Sequence, residues 1–184
     1  LPIRLRAIGR HNLVDALGAI SLAKSMGAEP EAIRQGLQQF EAVEGRSRVL
    51  TSEVTVIEDC YNASMDSTGS ILDYMGTVAW KGSKRVVLGS MKELGKASRP
   101  AHQEIGRRLA RLRPASVTLY GPEMADAYQV LKQSGYEGNL LHTEDFDELH
   151  THVMAKTHRG DLVLVKGSRA MAMERLVPSL TSIA

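Results

Sequence analysis

The chain has 184 residues, 43% hydrophobic and 24% charged, with a formal net charge of +2. That length suits one domain, or one domain with a fragment of another, and is enough to bury a substantial core. The small charge, without any dense basic run, gives no nucleic-acid footprint; no apolar run reaches membrane-spanning length, so no membrane insertion is expected; and the single cysteine, Cys60, excludes an intramolecular disulfide framework and suits a reducing compartment.

Arg4 and Arg6 are not followed by a long apolar stretch, so the start does not read as a signal peptide and a cytoplasmic location is expected. The sequence opens Leu1-Pro2-Ile3 without an initiating Met, which suggests an excised piece of something longer. Residues 1–8 alternate loosely through Leu1, Ile3, Leu5 and Ala7, as the last strand of a missing domain would. Asn12 reads as a helix cap, with Asp15 in the capping-box position. Leu13, Leu17, Ile20 and Leu22 give a helical period that ends at Gly27. Glu29-Pro30-Glu31 starts a second helix, with proline and acids in its first turn and Ile33, Leu37 and Phe40 on one face. Two short helices do not make a core alone, so residues 1–43 read as the end of a preceding domain and residues 44–184 as a domain of their own.

Val43-Glu44-Gly45-Arg46-Ser47 is the expected hinge, after which strands alternate with helices. Val49-Leu50 and Val54–Ile57 are close enough to pair as an antiparallel hairpin. A helix is expected over Ser67–Ala79 and a strand over Arg85–Leu88. Then come a helix over Pro100–Leu112, a strand over Ser116–Tyr120, a helix over Pro122–Lys132, a strand over Asn139–Leu141 and a helix over Phe146–Ala155. The last strand is Asp161–Val165 and the last helix Met171–Leu180. The class is therefore α/β: a Rossmann-like, mostly parallel sheet with helices on both faces and an N-terminal antiparallel hairpin, preceded by two helices. Right-handed crossovers put Asp59, Gly89, Gly121, Thr143 and Lys166 on one rim, where ligands of such sheets bind.

Four clusters on that frame carry candidate chemistry. His11-Asn12 is either a helix cap with a solvated histidine or, through the paired donor and acceptor of Asn12, a seat for a flat heteroaromatic such as adenine. Gly45-Arg46-Ser47-Arg48 is either a flexible basic linker or a hinge that swings an arginine onto a phosphate. Asp59, with Tyr61 and Asn62, either ends a strand or begins a site; as a loop acid it is expected to be solvated when the domains are open. Lys166-Gly167-Ser168-Arg169 is either a charged surface loop or an anion site at a helix start. A metal pair at His150 and His152 is not expected, because residues two apart do not face together on a helix. Met171 and Met173 read as core filler. Two acids precede Cys60 and disfavour its thiolate. No glycine-rich phosphate loop ending Gly-Lys-Ser/Thr occurs in the chain.

Taken together, these clusters resemble the Mur ligases, ATP-dependent amide-forming enzymes of peptidoglycan synthesis. Gly9-Arg10-His11-Asn12 is similar to the family's adenine-side motif and Val43-Glu44-Gly45-Arg46 to its hinge arginine. Glu58-Asp59-Cys60-Tyr61-Asn62-Ala63 resembles a segment of the branch that adds D-alanyl-D-alanine. Val87–Gly95 and Val165–Arg169 match in order and spacing. The sequence departs from the family pattern at Asp15, at Ser64-Met65 and at Ser90. The resemblance implies the end of a central ATPase domain followed by a complete C-terminal domain, without the UDP-sugar-binding domain, the phosphate loop or the magnesium ligands.

The resemblance also implies chemistry: ATP converts a carboxylate of UDP-N-acetylmuramoyl-tripeptide to an acyl phosphate, and the amine of D-alanyl-D-alanine displaces phosphate. ATP is the implied cofactor, with Mg2+ bound by the central domain and no metal ligand in this chain. Asp59 would hold the ribose and Arg46 approach the γ-phosphate, as the two catalytic candidates. His11 and Asn12 would face adenine, and Tyr61 and Asn62 would complete the nucleotide side. Asn62, Lys166, Ser168 and Arg169 would face the dipeptide or the phosphates. The alternatives are a related ligase using another amine, a polyglutamate-type ligase, and a stand-alone Rossmann-like binding domain.

Overall fold

The chain enters its first helix through Gly9, whose φ of 88° lies in the left-handed region that glycine tolerates. The structure, a computed structural model, describes all residues except 1, 4, 6 and 184, and only the backbone of residues 10 and 11. Helix α1 (Arg10–Ser25) packs against helix α2 (Pro30–Gln38), which Pro30 opens where a missing N–H is harmless. The expected strand over residues 1–8 falls partly outside the described residues; its described positions form no strand. Asn12 does not cap α1. Gly9 takes the cap position without a side-chain bond, while Asn12 sits inside the first turn and its Nδ2 donates to the Ile8 carbonyl at 2.7 Å. Phe40 lies beyond the end of α2.

After the hinge the β-branched runs pair as read. Strand β1 (Arg48–Thr51) turns back into β2 (Thr55–Asp59) as an antiparallel hairpin. Strands β3 (Lys84–Gly89), β4 (Ser116–Tyr120), β5 (Asn139–Thr143) and β6 (Leu162–Lys166) complete a six-stranded sheet in the order β1-β2-β6-β3-β4-β5, parallel from β2 onward. The path from β2 through β5 moves across the sheet in one direction, and the step to β6 reverses it. Right-handed crossovers then send helices α3 (Met65–Thr77), α4 (Ser98–Leu112) and α5 (Met124–Gln133) to one face and α6 (Phe146–Lys156) to the other.

The buried side chains divide the same way. Ile71, Met75, Ile105, Leu109 and Leu131 pack with Ile57, Val86 and Leu88 on one face. Leu149, Val153, Met173 and Leu180 pack with Val56, Val87 and Val163 on the other. Helix α3 begins slightly earlier than its apolar spacing suggests, because Ser64 caps it reciprocally with Ser67.

The expected helix over Met171–Leu180 is broken. Arg169–Met171 and Met173–Leu176 are tight 3₁₀ turns joined at Ala172, whose φ is 46°, and only α7 (Val177–Thr181) is α-helical. The cause is packing. Met171 and Met173 are both buried against the sheet rim, beside Gly89, and residues two apart on a continuous helix point to opposite sides.

Candidate functional site

The register of β2 against β6 places Asp59 opposite Lys166 at the carboxyl ends of the strands. This is the point where chain direction across the sheet reverses, the usual ligand crevice of an open α/β sheet. The Lys166 ammonium donates to Asp59 Oδ2 at 2.6 Å and to the Asn62 carbonyl at 2.9 Å, and its side chain is 2% exposed. The other carboxylate oxygen, Asp59 Oδ1, accepts from the Ser47 backbone N–H at 2.9 Å and from Ser47 Oγ at 3.3 Å. Asp59 is thus not the solvated loop acid expected from its position: it is 14% exposed and held from both sides.

The Gly45-Arg46 turn is stapled to the loop that follows β2. The Tyr61 N–H donates to the Gly45 carbonyl at 2.9 Å, and the Arg46 guanidinium lies over the Tyr61 ring at 3.9 Å. Gly45 takes φ 74°, and a Cβ there would meet Tyr61 N at 3.2 Å, so both the turn and the close approach require glycine.

These groups line one side of a cavity of about 490 Å³, and Asn12, Asp15 and Phe40 from the helical unit line the other. That size suits a nucleotide-sized ligand. Asn12, Arg46, Asp59, Tyr61, Asn62 and Lys166 are therefore brought together as the sequence suggested. The His11 side chain lies outside the described residues. Ser168 and Arg169 do not line the cavity. The Ser168 hydroxyl accepts from Lys92 N–H at 2.8 Å, and its own N–H donates to the Ser90 carbonyl at 3.2 Å. Arg169, 70% exposed, pairs with Glu174 at 3.4 Å. The segment after Lys166 is thus not the start of a continuous α-helix, because 3₁₀ turns follow, and the Ser168 amide is committed to protein.

Two positions that shape this region escaped the sequence reading. Ser47 was read only as part of a hinge, yet it supplies the second hold on Asp59. His102 is fully buried. Its Nε2 accepts the Met91 N–H at 3.0 Å while Nδ1 faces the Ser98 carbonyl at 2.8 Å, which makes Nδ1 the protonated nitrogen. His102 therefore fixes the loop after β3, where Lys92 pairs with both oxygens of Glu123 at 2.7 Å. The signal was present: His102 shares the α4 face of Ile105 and Leu109. Cys60 is no nucleophile. Burial first, then the nearby Glu58 carboxylate, pushes its thiol up to about 12.

Comparison with known proteins places the chain in a family. The profile of the Mur ligase glutamate ligase domain matches residues 45–169. The UDP-N-acetylmuramoyl-tripeptide–D-alanyl-D-alanine ligase of Treponema pallidum is 35% identical over 178 residues, which are 97% of this chain and 39% of that protein. Among solved structures, MurF from Acinetobacter baumannii superposes with a TM-score of 0.82 at 27% identity, covering 97% of this chain and 39% of its own. MurF of Thermotoga maritima in complex with ADP superposes at 0.78 with 24% identity, covering 95% and 39%, and shares the fold. The chain spans about 39% of the length of these relatives. With a family profile covering more than half its residues, and Arg46, Asp59 and Lys166 inside that match, the chain belongs to the Mur ligase family.

Proposed function

We propose that this chain is the C-terminal, lid-bearing portion of an ATP-dependent ligase that joins D-alanyl-D-alanine to UDP-N-acetylmuramoyl-tripeptide in the cytoplasm. Residues 1–43 are then the end of the central ATPase domain and residues 44–184 the C-terminal domain. One observation supports this reading above the rest: Asn12, Arg46 and Asp59, drawn from helix, hinge and sheet rim, border a single cavity. The names of the relatives along the whole chain supply the substrate class.

In this reading Asn12 meets the adenine edge, with His11 beside it, and Asp59 accepts from the ribose hydroxyls. Arg46, at the hinge, reaches the terminal phosphate when the domains close. Tyr61 holds Arg46 in place until then. Asn62 stands between the nucleotide and the amine substrate, and Arg169 is the exposed cation of the β6 loop available to an anionic group of the dipeptide. Mg2+ and the phosphate loop belong to the rest of the enzyme. The lid contributes by positioning reactants and excluding water from the acyl phosphate. The test is an amine-donor comparison on the full-length protein: ATP-dependent ligation of D-alanyl-D-alanine should exceed that of single amino acids and of glutamate, and preference for another amine would reject the assignment.

A further inference from the structure

We propose that Lys166 is a positioning residue: it fixes the Asp59 carboxylate and the Asn62 carbonyl in one frame, and sets the nucleotide grip and the seat of the hinge without itself binding ligand. The proposal rests on the nucleotide reading of the cavity and goes beyond it, because it replaces ligand contact by Lys166 with control of another residue. Lys166 ends β6, which lies between two parallel neighbours, β2 and β3. Its side chain is 2% exposed and is the largest among the fully buried ones. The ammonium is almost wholly withdrawn from bulk water, and what holds it is a carboxylate at 2.6 Å and a carbonyl at 2.9 Å. Removing a charge from water is costly unless fixed partners replace the solvent.

The consequence runs outward from Lys166. Asp59 is gripped at Oδ2 by the ammonium and at Oδ1 by Ser47, so its carboxylate plane is set. Ser47, at φ 51°, is buried and directly follows Arg46. The chain of contacts Lys166–Asp59–Ser47 therefore links the central strand to the residue beside the hinge arginine. It also keeps the pair near neutral. Without Lys166, an uncompensated carboxylate would border a cavity that receives phosphates, and would repel them.

A double-variant cycle in the full-length enzyme tests this. Lys166→Met should raise the KM for ATP about tenfold, within the range expected of coupled neighbours, while leaving the KM for D-alanyl-D-alanine near its starting value. Asp59→Asn should raise the ATP KM less. The double variant should be no worse than Lys166→Met alone, because the lysine acts through the aspartate. Melting temperatures of the four proteins should show the same non-additivity. If Lys166→Met does not fold, Lys166→Gln, neutral but still able to donate to both acceptors, takes its place in the cycle. Independent, multiplying effects on ATP KM would overturn the proposal and make Lys166 a ligand contact; so would a change confined to the KM for the dipeptide. An unchanged ATP KM in Asp59→Asn would instead reject the nucleotide reading of the cavity, and the positioning role with it.

Discussion

A carboxylate at the end of a strand ordinarily faces water and can be removed at little cost, but Asp59 neutralises a buried ammonium. Asp59→Ala should destabilise the 184-residue chain by about 3 kcal/mol, near the lower end of what breaking a buried pair costs, since the cavity lets some water reach Lys166. Asp59→Asn, which keeps an acceptor, should cost less. Urea denaturation of the two variants checks the order, and equal stability of wild type and Asp59→Ala would contradict the ion pair. Cys60 gives an independent reading of the same rim. Its thiol is buried, pushed up to about 12, and donates to the Val165 carbonyl at 3.4 Å. At pH 8 iodoacetamide should leave the folded chain unlabelled and label it stoichiometrically in denaturant, as mass spectrometry would show. Rapid labelling of the native protein would mean that the β2–β6 rim opens.

Between elements, α4 packs closely on α5. A Cβ on Gly106 would come 2.7 Å from the Ala127 carbonyl oxygen and 2.9 Å from the Val130 Cβ, both parts of α5 that cannot swing aside. Gly106→Ala should therefore destabilise by about 1–3 kcal/mol despite the better helix propensity of alanine, a sign that calorimetry would reveal. The loop after β3 is tied to the start of α5 by Lys92 and Glu123. Burial raises the Glu123 pKa, but hydrogen bonds from Lys92 and Ser90 outweigh it, so the carboxyl sits below its ordinary value. A group lowered in the folded state adds stability above its unfolded pKa and loses it as pH falls through the folded one. The excess stability of wild type over Glu123→Gln, about 0.2–1 kcal/mol for a partly exposed pair, should thus be present at pH 7 and be lost as pH falls below the ordinary glutamate pKa and through the lowered folded one.

These elements also show what the sequence made legible. Strand runs such as Leu162–Val165 and helical stripes such as Ile105-Leu109-Leu112 stood out because burial acts on apolar spacing, which is local. The final helix did not, because its break follows from two methionines docking beside Gly89, on a strand far earlier in the chain. Asn12 was misread as a cap because its residue type suits one, while Gly9 had already made the turn. The site was legible as residue types on one rim. The pairing of Lys166 with Asp59, 107 positions apart, and the hold of Ser47 on Asp59 needed the sheet register to be seen.

At the scale of the whole molecule, the cavity has walls from both the helical unit and the sheet domain, but the sequence holds no Gly-Lys-Ser/Thr phosphate loop. The 184-residue chain alone should neither hydrolyse ATP above a no-enzyme control nor bind ADP tightly, as phosphate release and isothermal titration would measure. Turnover by this chain would defeat the reading of it as a lid. The strand order bears on how the site is made during synthesis. β6 is the last strand of the chain, yet it lies between β2 and β3, which have no hydrogen bonds to each other without it. Until residue 166 has left the ribosome, β2 and β3 are two exposed edges, Asp59 has no ammonium partner, and non-local pairing of this kind is slow. Assembly of the cleft is thereby postponed until β6 has been translated, and a chain stopped anywhere before β6 carries a hairpin and a β3-β4-β5 half-sheet that do not join, leaving edges that chaperones and proteases read as unfinished.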